Sequence, residues 1–139
     1  MGKKVILITG ASSGLGLATA KYLSSHGYIV IGTSRKGSSI QSFIESKNEN
    51  KPFLIKMDVS NDQSIKEAIS SIIKKFGRID VLINNAGIGI SGSIEESSIA
   101  DSKKLFETNF FGTLQVTQQI IPIMRKQRTG LIISLSSIG

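Results

Sequence analysis

Thr9-Gly10-Ala11-Ser12-Ser13-Gly14-Leu15-Gly16 follows the apolar run Val5-Ile6-Leu7-Ile8 and opens a stretch of helical periodicity. A short continuous apolar run is expected of a strand buried on both faces. Beyond the glycines, Leu15, Ala18, Tyr22 and Leu23 recur at helical spacing, and His26-Gly27 supplies a stop. The chain keeps this alternation. Tyr28–Thr33 and Phe53–Met57 read as strands two and three, separated by a polar stretch, Ser38–Lys51, that should hold a short helix. Ile65, Ala68, Ile69, Ile72, Ile73 and Phe76 form an amphipathic stripe, with Asn61 or Asp62 as its cap. Asp80–Asn84 is a fourth strand, Asp101–Arg128 one long helix, and Leu131–Leu135 a fifth strand. Pro122 should kink or end that long helix. Strands alternating with helices mean a parallel sheet covered on both faces, a three-layer, doubly wound α/β architecture. In such sheets ligands sit beyond the carboxyl ends of the strands.

Composition narrows the chemistry. The chain of 139 residues fits one domain, and a domain of that size buries roughly two-thirds of its unfolded surface. With 40% hydrophobic and 19% charged residues it should fold rather than stay disordered. Zero cysteines exclude disulfides, thiolate metal sites and a cysteine nucleophile. A single histidine, His26, leaves no histidine metal cluster; it reads as a surface residue at a helix end. The net charge of +7 is diffuse: nine Lys/Arg against five Asp/Glu over residues 1–70, eight against five over residues 71–139. Nucleic-acid binders concentrate their cations, so this pattern favours anionic small molecules instead. No apolar stretch approaches the length of a membrane span, and Val5–Ile8 is too short for a signal peptide. Ile6 stands where a myristoylation signal wants Ser or Thr. The default location is cytoplasmic, with no membrane and no nucleic-acid partner.

The glycine turn suits a diphosphate. That ligand needs backbone N–H donors, a turn without Cβ atoms in the way, and a helix N-terminus aimed at it. Gly10, Gly14 and Gly16 can supply the turn, the close approach and tight helix–strand packing, although a purely structural turn stays open from the glycines alone. The end of strand two bears on the cofactor. An NAD site places a carboxylate about 20 residues past the glycines to bind the ribose 2′-OH. Here that region reads Thr33-Ser34-Arg35-Lys36, with no acid. A hydroxyl and two cations suit a 2′-phosphate, which favours NADP(H) over NAD(H). A solvated loop is the alternative reading of the same residues.

Taken in order, these motifs resemble the short-chain dehydrogenase/reductase family over the whole chain, from Val5 to Gly139. Thr9-Gly10-x-x-x-Gly14-x-Gly16 matches its glycine motif, and Asp58-Val59 the acid near the adenine. Asn84-Asn85-Ala86-Gly87 matches its Asn-Asn-Ala-Gly signature. Asn109 in Thr108-Asn109-Phe110-Phe111-Gly112 matches the Asn of the proton relay, and Ser137 the catalytic serine after strand five. The resemblance implies a Rossmann-like sheet and cofactor contacts at Gly10, Ser12, Ser13, Gly14, Leu15 and Gly16. Further contacts are implied at Ser34, Arg35, Asp58, Val59, Asn85, Ala86 and Gly87. It implies catalytic roles for Ser137 and Asn109, and no metal. Structural readings stand beside these: Asp58 as a turn cap, Asn84 and Asn85 as partners of backbone groups between strands, Ser137 as a strand-end residue.

The family's acid/base is a Tyr with a Lys four residues on, which shares a helix face with it and lowers its pKa. Here Tyr22 is followed at that spacing by His26 and Tyr28 by Gly32. The motif would lie a dozen or so residues beyond Ser137, and the sequence stops at Gly139. Residues 1–139 are therefore expected to form one dinucleotide-binding domain, truncated before the family's C-terminal strands and inactive alone. The chain reads as the front part of an NADP(H)-dependent oxidoreductase acting on a carbonyl or alcohol; the alternative is a non-catalytic dinucleotide-binding module. Leu131-Ile132-Ile133 should be an uncovered edge strand and the long helix should expose apolar side chains, so self-association is expected.

Overall fold

The computed structural model describes residues 2–137. Five parallel strands, β1 (Val5–Thr9), β2 (Ile29–Ser34), β3 (Phe53–Lys56), β4 (Val81–Asn84) and β5 (Leu131–Ser134), form one sheet in the order β3-β2-β1-β4-β5. The chain starts in the middle of the sheet, winds outward to β3, then returns to the other side of β1. Leu7 at the centre stands between Ile31 and Leu82.

Because side chains alternate across a strand, the run Val5–Ile8 serves both faces. Val5 and Leu7 enter a large core with Ile31, Ile55, Ile65, Ile72 and Val116. Ile6 and Ile8 enter a smaller one with Ala11, Ala20 and Val30. The large core lies under α3 (Asp62–Phe76) and α5 (Thr113–Gln127); the small one under α1 (Gly14–Ser25). The stripe on α3 is the main contributor, since Ile65 and Ile72 are fully buried and each such side chain stabilises by about 2 kcal/mol. Asn61 caps this helix by accepting from Ser64 N–H at 2.9 Å.

The helix foreseen over residues 101–128 is three pieces. It starts earlier, at Ile99, because Ser98 accepts from the Asp101 N–H at 3.0 Å and caps α4 (Ile99–Phe106). Glu107–Gly112 then winds as a π-helix before α5 begins. Nor does Pro122 end α5, which continues to Gln127. Pro122 and Gln118, the residue whose carbonyl loses its helical partner, are both exposed.

The short helix of the polar stretch, α2 (Ile40–Glu45), packs against α3 and β3 rather than beside α1. Phe43, Phe53 and Phe76 meet there with ring centroids 5.3–6.2 Å apart. Lys75 donates to the carbonyls of Ile44 and Ser46, at 2.9 and 2.5 Å, and its ammonium stands 5.4–5.7 Å from all three rings. At the lower end of the sheet, Asp80 is buried, accepts from Val5 N–H at 2.8 Å and pairs with Arg78.

The last strand, β5, is paired only to β4 among the described strands, and all four of its residues are exposed. Phe106, Phe110 and Phe111 point outward as well, at 46–58% exposure. Among the described residues no helix is long and apolar enough to cross a membrane.

Candidate functional site

Four loops converge at the carboxyl edge of the sheet, and the first and fourth are stitched together. Thr9 Oγ1 accepts from the N–H groups of Asn85 and Ala86, each at 3.0 Å. Asn85 returns two bonds from Nδ2, to the carbonyls of Thr9 at 3.1 Å and Gly10 at 2.9 Å. This close contact requires glycine. A Cβ on Gly10, whose φ is +66°, would stand 2.7 Å from Ala86 Cα. One on Gly16 would stand 2.4 Å from both Asn85 Nδ2 and the Gly10 carbonyl oxygen. Two of the three glycines thus admit the protein's own β4 loop. Gly14, at φ +56° with open space where its Cβ would be, makes the turn and leaves the approach clear.

That approach leads to the start of α1. Ser13 is its N-cap but makes no side-chain cap bond, so the first-turn N–H groups of this 12-residue helix face outward without an intrahelical partner. Here a helix N-terminus, its dipole and an unobstructed turn coincide, the donor set a diphosphate needs.

A cleft of about 420 Å³ runs from this point along the sheet edge. Gly10, Ser12, Ser13, Leu15 and Gly16 form one wall; Ser34 and Arg35, Asp58 and Val59, and Asn85, Ala86 and Gly87 complete it from the ends of β2, β3 and β4. Every cofactor position foreseen from the sequence therefore lines one cavity except Gly14, which shapes the turn without facing it. Thr33, Lys36, Met57, Ile88 and Thr108 line it too. Met57 and Thr108 were not foreseen, because they read as strand and helix until the loops are folded together, and Ile88 read as part of the loop Gly87–Ser98 over this edge without being assigned to the cofactor. Thr33 Oγ1 is buried and has no hydrogen-bond partner among the described residues.

Charge is uneven along the cleft. Arg35 and Lys36 are exposed on the β2 side, and Asp58 is the one acidic residue in the lining. Partial burial pushes the Asp58 carboxyl up, but bonds from Ser60 Oγ (2.6 Å) and Ser60 N–H (2.9 Å), with the Arg35 charge, outweigh it. The net result is a pKa below the ordinary value, so Asp58 is a carboxylate at neutral pH. Its turn-capping reading and its place in the cleft both hold.

Asn109 lies within the π-helical turn and closes around the main chain of Ile88. Its Oδ1 accepts from Ile88 N–H and its Nδ2 donates to the Ile88 carbonyl, both at 2.8 Å. Asn109 thus acts on the cleft through Ile88 and does not line it. The buried Asn84 donates from Nδ2 to Thr117 Oγ1 at 3.1 Å and Ser134 Oγ at 3.3 Å, tying β4 to α5 and β5. Ser137, three residues beyond the end of β5, is exposed and lies outside the lining of the cleft. Among the described residues no cluster of His, Cys, Asp and Glu could hold a metal.

The sequence profile of the family described as short chain dehydrogenase matches residues 4–139. The chain belongs to that family. The chain is 46% identical over 139 residues to a 3-ketodihydrosphingosine reductase of Bacteroides thetaiotaomicron, covering all of this chain and 49% of the relative. It spans about half the length of the curated relatives it matches. Among solved structures, a short-chain dehydrogenase from Streptomyces avermitilis superposes with a TM-score of 0.86 at 34% identity, over 99% of this chain and 50% of the other. ElxO with NADP bound also gives 0.86, at 35% identity, over 99% of this chain and 56% of the other. The match confirms the five-stranded parallel Rossmann-like sheet.

Proposed function

We propose that these residues are the cofactor-binding portion of an NADP(H)-dependent oxidoreductase acting on the carbonyl or alcohol carbon of a small molecule. The observation that carries the cofactor choice is the β2 side of the cleft, where Arg35 and Lys36 stand and no acid waits for a ribose diol. The turn Gly10–Gly16 and the α1 N-terminus hold the diphosphate, and Ser34 and Arg35 hold the 2′-phosphate. Asp58 and Val59 flank the adenine, and Asn85, Ala86 and Gly87 border the rest of the nucleotide. When bound, the nicotinamide supplies or accepts the hydride. Asn109 positions Ile88 at that end of the cleft, and Ser137 orients the substrate oxygen. The relative named as a ketone reductase, and the neighbour described with NADP, support this reading.

Within residues 1–139 no Tyr is followed four residues later by Lys, so this chain taken alone binds the dinucleotide without turnover. Titration with NADPH and with NADH, followed by calorimetry, tests the reading. NADPH should bind at least tenfold more tightly, since the phosphate adds charge-assisted hydrogen bonds. Equal affinities would sink the NADP(H) preference, and no binding of either would sink the cofactor site.

The exposed β5 edge with outward Phe106, Phe110 and Phe111 supports self-association of the isolated chain. Sedimentation should show a mass that rises with concentration. A single species of 14.9 kDa at all concentrations would count against it.

A further inference from the structure

Only residues 35–39 separate β2 from α2, and they reach the outer side of β3, the strand at the edge of the sheet. Successive residues of a strand aim their N–H groups to opposite edges. Met57 N–H faces β2 and donates to the Ser34 carbonyl at 2.9 Å. Lys56 N–H therefore faces the other edge, where it donates to the Ser38 carbonyl at 2.8 Å; Ser38 N–H donates to the Leu54 carbonyl at 2.9 Å. Ser38 is thus a one-residue parallel bridge to Ile55 on the open side of β3. Between Ser34 and Ser38 the chain crosses β3 as a strap, and Arg35 and Lys36 are carried on it.

Gly37 is the point of crossing. A Cβ there would overlap the carbonyl carbon and oxygen of Ile55 and stand 2.5 Å from Lys56 N. All three are main-chain atoms of β3, so no side-chain tip can swing aside to make room. The φ of Gly37 lies outside the left-handed region, so the requirement is for space alone. Both ends of the strap are held. Gly37 N–H closes a turn onto the Ser34 carbonyl at 3.2 Å, and Lys36 N–H donates to Ser34 Oγ at 3.0 Å, which leaves the Ser34 hydroxyl its own proton to donate. On the far side, α2 starts two residues past Ser38 and is fixed to α3 through Lys75.

We propose that Gly37 is a positioning residue for cofactor choice: by letting the strap lie against the Ile55–Lys56 peptide, it fixes the main chain from which Ser34, Arg35 and Lys36 receive the 2′-phosphate. This rests on the NADP(H) reading above and adds to it the part that presents the cations. A preset main chain lets a flexible cationic side chain bind phosphate at a smaller entropic cost. An alanine at position 37 is accommodated by lifting the strap off β3, since Ser38 lies at the exposed edge. Gly37→Ala should therefore lower the ratio of NADPH to NADH affinity about tenfold, through weaker NADPH binding with NADH unchanged. Gly77→Ala is the control. It imposes left-handed strain at φ +75°, at the C-cap of α3 and away from the cleft, and should lower stability without moving the ratio. Calorimetric titration of the three chains gives the ratios. If the parent binds both nucleotides equally, the 2′-phosphate reading fails and the role of Gly37 with it. If the parent prefers NADPH, the role of Gly37 alone is overturned by a Gly37→Ala chain that keeps the full preference or loses both nucleotides alike. A ratio that falls equally in Gly77→Ala would overturn it too. Hydrogen exchange on the parent chain needs no variant: the Ser38 and Lys56 amides should be protected as those of the β2–β3 ladder are. Exchange of Ser38 at the rate of an unstructured amide would overturn the strap.

Discussion

Gly10→Ala should lower the stability of this chain by about 3 kcal/mol and remove measurable NADPH binding, the first through two separable causes. The first cause is conformational. At φ +66° an L side chain pays about 1–2 kcal/mol of local strain. The second is steric. The new methyl would lie 2.7 Å from Ala86 Cα and 3.0 Å from Ala86 N, both main-chain atoms, which cannot swing aside as a side-chain tip can. Relief requires the β4 loop to move, and that loop is held by four hydrogen bonds exchanged between Thr9–Gly10 and Asn85–Ala86. Gly14→Ala is the internal control. It has the same left-handed backbone at φ +56° but nothing within 4 Å of its Cβ, so only the strain of about 1–2 kcal/mol should appear. Urea denaturation of the two variants separates the causes. If they lose equal stability, the contact with Ala86 contributes nothing and the stitched loops are not what requires glycine at position 10.

The same contrast shows where sequence reading succeeded and where it stopped. Val5–Ile8 announced a central strand because four consecutive apolar residues leave no face for water, and both cores use them. The α3 stripe and its Asn61 cap were legible for a similar reason: local periodicity and local capping chemistry coincide. What a glycine is for was less legible. Gly10, Gly14 and Gly16 look alike in a motif, yet two are demanded by Asn85 and Ala86, some 70 residues away, and one by the turn itself. The π-helical turn at Glu107–Gly112 was invisible because what it holds is also distant: Asn109 within it meets the Ile88 main chain with both ends of its amide. A helix of uniform pitch was the natural reading of that stretch. The placement of α2 escaped as well, since Phe43, Phe53 and Phe76 are far apart in sequence and their meeting point under Lys75 is a tertiary outcome. The cleft itself followed from topology: in a parallel sheet the ends of β1, β2, β3 and β4 share one edge, and that alone gathered most of its lining.

Arg35→Asp should reduce the preference for NADPH over NADH about a hundredfold, mostly through weaker NADPH binding. The substitution removes a planar donor that can take two phosphate oxygens and puts a negative charge where the proposed site would receive the 2′-phosphate. A charge-assisted bond contributes about 1.5–3 kcal/mol, which corresponds to roughly ten- to a hundredfold in affinity before the new repulsion is counted. NADH should lose little, because an aspartate at the end of β2 can accept from a ribose 2′-OH. Asp58 makes the reversal sharper. The Arg35 charge now helps hold that carboxyl below its ordinary pKa, so exchanging it for a carboxylate sets two like charges on one rim and favours the protonated form of Asp58. Lys36 remains and still attracts phosphate, but as a point charge on an exposed, flexible stem it gives attraction without the bidentate geometry. Added salt should therefore narrow the difference between Arg35→Asp and the parent chain, since Arg35 is exposed and the long-range part of its effect is screened within about 10 Å at 0.1 M ionic strength. The ratio of dissociation constants at two salt concentrations is the measurement. A ratio that stays at the parent value would show that Arg35 does not touch the nucleotide, and selection would have to come from Ser34 and Lys36.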